Sequence, residues 1–398
     1  MSHIAEEVIP MLYRKLGRTG IEVSILGLGC MRFPLRNISD GVPTTLKQSE
    51  EIDEEQAMEM IQHSINRGIN YFDTAYTYHG GKSEPLLGKA VKGHREKIMI
   101  VTKLPIWLVQ KEDDFERYFN EQMERLDTDY LDAYLLHGLT RKLWDRVREL
   151  RVLHSLERIL ADHRVRHVGF SFHDDVRIFK EIVDGYDWAI CQIQYNYFDR
   201  NYQAGREGLE YAASKGLGVV VMEPLRGGKL TNKIPDQVQK VWDQADPKRA
   251  PVEWALRWIW NHSEVSTVLS GMSSMSQLRE NIKIANEANS FSLSKKNLEL
   301  IDRVTELYKK MCIVDCTACG YCMPCPQGVN IPLNFTLYND TSVFEALGNA
   351  AMRYKEMLSP EQKASQCTAC GECEERCPQH IPIIEELKKA HDRLARGK

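Results

Sequence analysis

Ile98-Met-Ile-Val-Thr-Lys103 is a short apolar run of the kind that forms a buried strand, and Leu131-Asp-Ala-Tyr-Leu-Leu-His137 is a second one. The segment between them, Asp113–Leu126, alternates polar and apolar residues as an amphipathic helix does. A strand that is apolar along its length is covered on both faces, and a helix between two such strands implies parallel pairing. This strand–helix–strand unit therefore indicates an α/β protein.

The same unit recurs on both sides of this stretch. Six further strands are predicted, at Val23–Gly29, Asn70–Thr74, Val165–Ser171, Ala189–Gln194, Gly218–Glu223 and Ser266–Ser270. Further helices are predicted at Glu54–Arg67, Arg141–Asp162 and Arg206–Lys215, and a loop near the barrel mouth at Arg36–Gln56. Eight strands alternating with helices predict a (β/α)8 TIM barrel. The alternative is a doubly wound open sheet, but Gly27-Leu-Gly29 lacks the third glycine of a dinucleotide-binding turn.

Length and charge set the broad class. The chain has 398 residues, more than one ordinary core holds, and 52 Lys and Arg against 56 Asp and Glu give a formal charge of −4. That balance gives no reason to expect nucleic acid or an anionic membrane as a partner. The sequence has no apolar run of the roughly 20 residues that cross a bilayer, and its acidic start does not resemble a secretory signal. We expect a soluble, cytoplasmic protein.

The cysteines are distributed unevenly. Only two of the 11, Cys30 and Cys191, precede residue 300, and the other nine lie between Cys312 and Cys377. In a reducing cytoplasm, clustered cysteines more often bind metal than form disulfides. We therefore expect a barrel domain, a linking helix and a small, mainly α-helical cysteine-rich domain, over residues 1–290, 291–311 and 312–398. The helical patterns behind this division are Ser294–Lys310 and Tyr338–Leu358.

Four polar residues lie at or just after the C-terminal ends of three successive predicted strands: Asp73, Tyr78, Lys103 and His137. In a barrel these strand ends converge on one mouth, so the four residues can share one site. Tyrosine has an ordinary pKa of about 10; a neighbouring ammonium lowers that pKa, and a carboxylate keeps the ammonium charged. With a histidine to orient the oxygen, the group could donate a proton to a carbonyl that receives hydride. The alternative is a structural Asp73–Lys103 ion pair beside two packing residues.

The chain resembles the aldo/keto reductase family over roughly residues 12–310. The segments that carry the resemblance are Leu16-Gly-Arg-Thr-Gly-Ile-Glu-Val-Ser-Ile-Leu-Gly-Leu-Gly29, Tyr71-Phe-Asp-Thr-Ala75, Ser83-Glu-Pro-Leu-Leu-Gly88 and Gly169-Phe-Ser171. The family uses an Asp-Tyr-Lys-His tetrad, and the resemblance places it on the four residues named above. Tyr76 is close by, but the five-residue step from Asp73 selects Tyr78.

The resemblance also implies an extended nicotinamide dinucleotide, NADPH or NADH, bound without a Rossmann fold. Ser171 and Gln192 match the positions that hold the carboxamide, and Pro224 and Leu225 match the loop beside the pyrophosphate. The remaining positions carried over are Gly29 at the barrel mouth, Met222 beside the nicotinamide ring, and Gly271, Ser273, Gln277 and Asn281 around the adenosine.

Several of these positions depart from the family pattern. Phe172 stands where an Asn is usual, and Met222 where an aromatic residue stacks on the nicotinamide, so a wider, less polar pocket could admit a flavin (FMN) instead. Gly271 and Gln277 stand where basic residues often hold a 2′-phosphate, and only Arg279 is nearby in the sequence. Losing a fixed cation removes much of the reason to prefer NADPH over NADH. The alternative is ordinary variation within the family.

Two cysteine runs near the C-terminus are similar to each other. They are Cys316-Thr-Ala-Cys319-Gly-Tyr-Cys322-Met-Pro-Cys325-Pro326 and Cys367-Thr-Ala-Cys370-Gly-Glu-Cys373-Glu-Glu-Arg-Cys377-Pro378. The second has the Cys-x2-Cys-x2-Cys-x3-Cys-Pro spacing of bacterial ferredoxins, in which the fourth cysteine of each run ligates the other cluster. We therefore expect two [4Fe-4S] clusters, one on Cys316, Cys319, Cys322 and Cys377 and the other on Cys325, Cys367, Cys370 and Cys373. Two structural zinc sites are the alternative, and Cys312 is left over as a bystander or a substitute for Cys325.

The sequence thus predicts an oxidoreductase that interconverts a carbonyl and its alcohol, with clusters that pass electrons to or from the barrel. Because hydride carriers move two electrons while a cubane normally passes one, a two-electron carrier such as a flavin would have to link them. The expected partners are a small carbonyl or alcohol substrate and a ferredoxin or other redox protein. The alternatives are a plain NAD(P)H-dependent reductase with structural clusters and an electron-transfer or docking protein with a silent barrel.

Overall fold

The structure, a computed structural model, describes residues 11–36, 51–232, 234–288, 292–318, 320–377 and 379–397. Contacts between residues divide the chain into two compact units. Unit 1 comprises the described residues within Met1–Asn196, Ala204–Arg226 and Ala255–Leu293, and unit 2 those within Tyr197–Gln203, Gly227–Trp254 and Ser294–Lys398. Most of the predicted loop at Arg36–Gln56 lies outside the described residues, as does Cys319.

The strands of the described chain all belong to unit 1. They are β1 Tyr13–Lys15, β2 Glu22–Ser24, β3 Leu26–Gly29, β4 Tyr71–Asp73, β5 Met99–Leu104, β6 Leu131–Leu139, β7 Val165–Phe172, β8 Ile190–Gln194, β9 Gly218–Met222 and β10 Val265–Ser270. β1 and β2 form an antiparallel pair, and the other eight form a closed parallel barrel in the order β10-β3-β4-β5-β6-β7-β8-β9. The closed barrel confirms the predicted (β/α)8 fold and excludes the open sheet.

The interior of the barrel is tightly packed. Tyr71, Val101, Leu135 and Val220 are fully buried in one apolar cluster drawn from different strands. Successive side chains of a strand point to opposite faces, so alternate residues face this cluster. Gly169 of β7 lies so close to β8 that a Cβ on it would be 2.3 Å from a backbone oxygen. This packing holds the strands in register and, with them, the polar residues at their C-terminal ends.

Helices follow the barrel strands and make up the described part of the C-terminal region. They are α1 Glu54–Asn66, α2 Ser83–Ala90, α3 Glu112–Leu126, α4 Arg141–Glu149, α5 Val152–Ala161, α6 Val176–Asp184, α7 Gly205–Ser214, α8 Asp236–Trp242, α9 Pro251–Trp260, α10 Met275–Asn286, α11 Lys295–Lys310, α12 Ile331–Val343, α13 Leu347–Glu356, α14 Glu372–Glu375 and α15 Ile383–Arg396. Side-chain caps begin several of them. For example, Ser294 Oγ accepts the Asn297 N–H at 3.2 Å at the start of α11.

Three predicted elements are each divided in two. Val23–Gly29 forms β2 and β3, because the first of these pairs with β1 outside the barrel. Arg141–Asp162 forms α4 and α5, and Arg151 between them has a φ of 53°. Tyr338–Leu358 covers the end of α12 and all of α13, and Glu345 between them has a φ of 49°. A left-handed residue cannot continue a right-handed helix, which explains both helix breaks.

Unit 2 combines segments from within the barrel's sequence range with the C-terminal region. α11 packs against α8, and Arg200 Nη1 lies 2.6 Å from Asp302 Oδ1 on α11. Lys229 Nζ lies 2.5 Å from Asp340 Oδ2 on α12, and Arg353 Nη1 of α13 lies 3.6 Å from the same oxygen. Asp340 is fully buried, so both cations compensate a carboxylate that has left water.

The cysteine-rich region has an apolar core of its own. Phe335, Leu337, Tyr354, Leu387 and Leu394 are buried together between α12, α13 and α15, and partly buried cysteines of both motifs pack against this core. Among the described residues of this region the regular structure is helical, in agreement with the predicted class. Within the described ranges of the whole chain, no helix is both long and apolar enough to cross a bilayer.

Candidate functional site

The structure brings three of the predicted tetrad residues into direct contact at the mouth of the barrel. Lys103 Nζ, at the end of β5, donates to Asp73 Oδ1 at 2.6 Å and to the Thr74 carbonyl oxygen at 2.7 Å. It also lies 3.4 Å from the Tyr78 hydroxyl oxygen, in the loop after β4. Lys103 and Asp73 are almost completely buried. One ammonium group therefore links the carboxylate to the phenol.

At the mouth, burial and the neighbouring charges have opposite effects on the pKa values of Asp73 and Lys103. Burial raises the pKa of Asp73, and the Lys103 ammonium opposes that rise. Burial alone would lower the pKa of Lys103, but the Asp73 carboxylate and the Tyr78 phenol raise it above the ordinary lysine value, so the ammonium stays charged. The pKa of Tyr78 is raised, because burial outweighs the lowering effect of Lys103. Lys103 thus lowers the pKa of Tyr78, as expected, but the pKa as a whole lies above the ordinary tyrosine value.

His137, in β6, completes the group at the same strand ends. Its ring meets the Tyr78 ring edge-on, with centroids 5.8 Å apart. Burial lowers the pKa of His137 well below the ordinary histidine value, and the Lys103 charge lowers it further. Its buried Nδ1 has no hydrogen-bond partner among the described residues. The imidazole is therefore neutral at physiological pH, and it can donate a hydrogen bond to an incoming group or accept one from it.

Trp107 is a mouth residue that the sequence did not single out. It lies just after β5 in the short segment between that strand and α3, and its ring centroid is 5.0 Å from that of His137. Its side chain is 42% exposed, which is unusual for tryptophan. A partial signal is present in the sequence, because an aromatic residue four positions after the lysine falls in a loop at the barrel mouth.

Ser171 and Gln192, the residues expected to hold the carboxamide, lie side by side at the ends of β7 and β8. Ser171 Oγ accepts the Gly138 N–H at 2.8 Å, and Gln192 Nε2 lies 3.8 Å from Met222 Sδ. The buried Gln192 Oε1 has no hydrogen-bond partner within the described chain. A buried acceptor without a donor is costly, and a carboxamide N–H is a donor of the required kind. These residues therefore fit a nicotinamide.

Phe172 does not enlarge this pocket. It is fully buried, and its ring packs edge-on against Phe179 of α6 at 5.1 Å. Because successive strand residues face opposite sides, Ser171 points to the barrel interior and Phe172 to the helix layer. The expectation that Phe172 and Met222 together create a wide, apolar flavin pocket is therefore wrong for Phe172.

The predicted adenosine positions cluster at the start of α10. Ser273 N–H donates to Gln277 Oε1 at 2.9 Å, and Asn281 Nδ2 donates to Ser270 Oγ at 3.0 Å. Gln277 and Asn281 thus shape this loop through hydrogen bonds within the chain. The other carried-over positions lie at the C-terminal ends of their strands or directly after them, as expected for a barrel mouth: Gly29, Met222, Pro224, Leu225 and Gly271.

The described residues of the two cysteine runs match in backbone conformation at two positions. In each Cys-Thr-Ala-Cys-Gly segment the alanine is left-handed, with a φ of 55° at Ala318 and 59° at Ala369. The glycine that follows the second cysteine is also left-handed, with a φ of 77° at Gly320 and 85° at Gly371. A left-handed alanine is uncommon, so its presence in both runs is a shared structural feature. In the first run the Ala318 N–H donates to Cys316 Sγ, with 3.4 Å between nitrogen and sulfur.

The cysteines line two cavities within unit 2. The first, with about 330 Å³ of open space, is lined by Cys316, Cys322 and Cys377. The second, with about 370 Å³, is lined by Cys325, Cys367, Cys370 and Cys373, together with Cys322. Cys319 lies outside the described residues, so its position in the first set stays a prediction. Each cavity therefore combines cysteines from both runs, as a crossed pair of clusters requires.

Cys312 is not among the cysteines that line these two cavities. Its Sγ lies 3.8 Å from the Tyr308 carbonyl oxygen at the end of α11. Within the described ranges, no three His, Cys, Asp or Glu side chains converge closely enough to hold one metal ion. The thiols are instead spread around the two cavities described above.

Comparison with known protein families agrees with this geometry. Residues 26–306 match the model of the aldo/keto reductase family. The chain belongs to the aldo/keto reductase family. Residues 315–381 match the model of a 4Fe-4S dicluster domain. This aldo/keto reductase is thus an oxidoreductase with a C-terminal iron–sulfur domain, and its family uses a nicotinamide cofactor.

Individual relatives cover the barrel of this aldo/keto reductase. L-galactose dehydrogenase of Arabidopsis thaliana is 27% identical over 322 residues, which span 75% of this chain and 95% of that protein. The NADH-specific methylglyoxal reductase of Escherichia coli is 27% identical over 319 residues, 68% of this chain and 92% of that protein. Among solved structures, aldo-keto reductase AKR11C1 from Bacillus halodurans (holo form) has a TM-score of 0.61 and 26% identity, with 74% and 96% of the two chains covered.

Proposed function

We propose that this aldo/keto reductase interconverts an aldehyde or ketone and its alcohol through Asp73, Tyr78, Lys103 and His137, and that two [4Fe-4S] clusters pass electrons to or from the barrel site. The observation that carries the catalytic part is the Lys103 ammonium, which is 2.6 Å from Asp73 Oδ1 and 3.4 Å from the Tyr78 oxygen. Burying a lysine beside a tyrosine costs free energy. In a catalytically silent barrel no function would offset that cost.

Each residue has a defined task in this proposal. Tyr78 gives its phenolic proton to the carbonyl oxygen, and Lys103 stabilises the phenolate that remains. Asp73 keeps Lys103 charged, and neutral His137 orients the carbonyl oxygen by a hydrogen bond. The bound nicotinamide, NADPH or NADH, supplies the hydride. In the reverse direction, Tyr78 accepts the proton of the alcohol.

The cofactor contacts are part of the same proposal. Ser171 and Gln192 hold the carboxamide, a role supported by the buried Gln192 Oε1 that has no donor among the described residues. Met222 would lie beside the nicotinamide ring, Gly29 at the mouth, and Pro224 and Leu225 beside the pyrophosphate. The residues that would surround the adenosine are Gly271, Ser273, Gln277 and Asn281. A flavin such as FMN is the alternative cofactor. Phe172 points away from the barrel interior and packs against Phe179 of α6, so a flavin has less support than the sequence suggested.

The clusters are assigned by the two cysteine sets. We assign one to Cys316, Cys319, Cys322 and Cys377 and the other to Cys325, Cys367, Cys370 and Cys373, within a barrel–linking helix–cluster organisation over residues 1–290, 291–311 and 312–398. The lining of the two cavities by cysteines of both runs supports the crossed assignment. A ferredoxin or other redox protein would be the external electron partner.

The test of the catalytic assignment is Tyr78→Phe, with Tyr76→Phe as its matched control. The relatives suggest methylglyoxal and L-galactose as first substrates. Tyr78→Phe removes only the phenolic proton, so we expect turnover to fall by about 10²–10⁴-fold while NAD(P)H affinity is unchanged. Tyr76 Oη donates to Glu121 Oε2 at 2.7 Å on α3, so Tyr76→Phe should keep its turnover. Near-normal turnover of Tyr78→Phe would remove Tyr78 from this role.

A further inference from the structure

Arg32 occupies the space that a side chain at position 271 would take. It lies three residues after the end of β3, and its aliphatic part passes directly over Gly271, after β10. A Cβ on Gly271 would lie 3.1 Å from Arg32 Cδ and 3.3 Å from its Cβ and Cγ. These distances are too short for ordinary packing. The absence of a side chain at Gly271 therefore leaves room for an arginine from the loop after β3.

The other cation near the adenosine segment is Arg279, which is exposed on α10. Gln277 is held by the Ser273 N–H, which it accepts at 2.9 Å. Gln277 is uncharged, and Arg279 lies two residues beyond the second position at which the family often has a basic side chain. Within the described residues, Arg32 is a cation whose side chain packs against Gly271.

The guanidinium of Arg32 is held only loosely. Arg32 Nη2 lies 4.0 Å from Glu223 Oε1, at the edge of ion-pair range and beyond hydrogen-bond distance. The Arg32 side chain is 25% exposed and that of Glu223 is 37% exposed. Such a pair contributes little free energy. A planar guanidinium with several N–H donors binds phosphate oxygens better than a lysine does, often through two parallel hydrogen bonds.

We propose that Arg32 binds the adenosine 2′-phosphate of NADPH, in place of the basic side chains absent at Gly271 and Gln277. This inference rests on the proposed nicotinamide function and names the residue that selects the dinucleotide. It reverses the expectation that the loss of cations at those two positions removes the preference for NADPH. Position 271 is where the family often places a 2′-phosphate ligand, and the Arg32 side chain crosses that position.

The test is direct binding to the full-length protein with its clusters assembled under anaerobic conditions. Dissociation constants for NADPH, NADH, 2′,5′-ADP and 5′-AMP are measured by titration calorimetry, for the wild type, Arg32→Gln, Arg32→Lys and the matched control Arg279→Gln. Circular dichroism checks that each variant is folded. We expect Arg32→Gln to weaken the binding of NADPH and 2′,5′-ADP by about 10- to 100-fold, which is the range of a charged hydrogen bond. The affinities for NADH and 5′-AMP should not change. Arg32→Lys should have intermediate affinities for NADPH and 2′,5′-ADP, and Arg279→Gln should match the wild type.

The outcomes separate this inference from the function on which it rests. If Arg32→Gln weakens the binding of NADPH and of NADH equally, Arg32 contacts the pyrophosphate and the 2′-phosphate assignment is wrong. If Arg32→Gln leaves all four ligands unchanged while the wild type binds a dinucleotide, the inference fails and the proposed function stands. If the wild type binds neither dinucleotide, the nicotinamide function itself fails, and Arg32 with it.

Discussion

The barrel mouth and the cysteine loops hold their functional residues in different ways. At the mouth, buried Lys103 makes hydrogen bonds to Asp73 and Thr74, so groups of the protein already compensate its charge. In the loops the thiols line open cavities, and burial raises the pKa of Cys373 to about 11. Because metals bind the thiolate, Cys373 becomes a good ligand only as iron displaces its proton. The barrel site therefore forms with the fold, whereas the loops are completed by clusters.

The largest effect should come from removing the ammonium at the mouth. We expect Lys103→Met to reduce carbonyl reduction as much as Tyr78→Phe does, by about 10²–10⁴-fold. Lys103 lowers the pKa of Tyr78 against the rise caused by burial, so its loss raises that pKa further. The pH optimum for alcohol oxidation, which needs the phenolate, should then move upward. The measurement is kcat against pH in both directions.

The matched control for this change is the double variant Asp73→Asn, Lys103→Met. The single variant leaves a buried carboxylate without its cation, which is strongly destabilising, and the double variant does not. Both should lose activity, and the double variant should be the more stable. If Lys103→Met keeps its turnover and its pH profile, the Asp73–Lys103 pair is structural only.

The next effect concerns the clusters. We expect about eight iron atoms and as much acid-labile sulfide per chain after anaerobic reconstitution, and about four iron atoms in Cys373→Ser, because that change removes a ligand of one cluster. NADPH binding should persist, since the barrel site forms without the loops. Cys312→Ser is the control and should keep the full iron content. Stoichiometric zinc without sulfide would defeat the cluster assignment.

A smaller effect is expected at the buried carboxylate of unit 2. Asp340 is fully buried between Lys229 and Arg353, so Asp340→Asn should lower the free energy of unfolding by about 1–3 kcal/mol. Asp302, whose side chain is 56% exposed beside Arg200, is the control, and Asp302→Asn should cost about 0–1 kcal/mol. Urea unfolding followed by tryptophan fluorescence measures both. Equal losses would show that burial at position 340 carries no extra stability.

The smallest expected effect is that His137 does not become protonated between about pH 7.5 and 6. The pKa of His137 lies well below the ordinary value of about 6.5, so the imidazole stays neutral as pH falls through that value. The rate of carbonyl reduction should then show no loss assigned to His137 between about pH 7.5 and 6. A decrease centred near 6.5 that disappears in His137→Gln would mean that the histidine is charged in the working enzyme.

Most of the fold could be predicted from the sequence, because apolar strands and amphipathic helices carry strong periodic signals. The barrel strands were found within a few residues, and the closed barrel is confirmed. The breaks at Arg151 and Glu345 were not foreseen, because a left-handed arginine or glutamate leaves no mark in the sequence. The extra pairing of β2 with β1 was missed because strands of three residues have too few positions to show alternation.

The candidate site was predictable where neighbouring strand ends place residues together. That rule grouped Asp73, Lys103 and His137, although their catalytic roles stay predictions. It could not find Arg32, because its relation to Gly271 depends on the path of one side chain across a strand boundary. Strand alternation, applied strictly, would have turned Phe172 toward the helices and away from the cofactor pocket.

In the proposed function, electrons from the clusters reach the barrel site. The direct measurement is to reduce the full-length protein anaerobically with a ferredoxin-type donor and to assay alcohol formation from a good carbonyl substrate, with a catalytic amount of the oxidised two-electron carrier (NAD(P)+ or FMN) present and no NAD(P)H added. Each carbonyl takes up two electrons and two protons, so the donor must supply two electrons for each alcohol formed. We expect turnover in the wild type and its loss in both Cys373→Ser and Tyr78→Phe. No alcohol from the reduced wild type, together with full NAD(P)H-dependent activity in Cys373→Ser, would contradict the claim and leave a plain reductase with structural clusters.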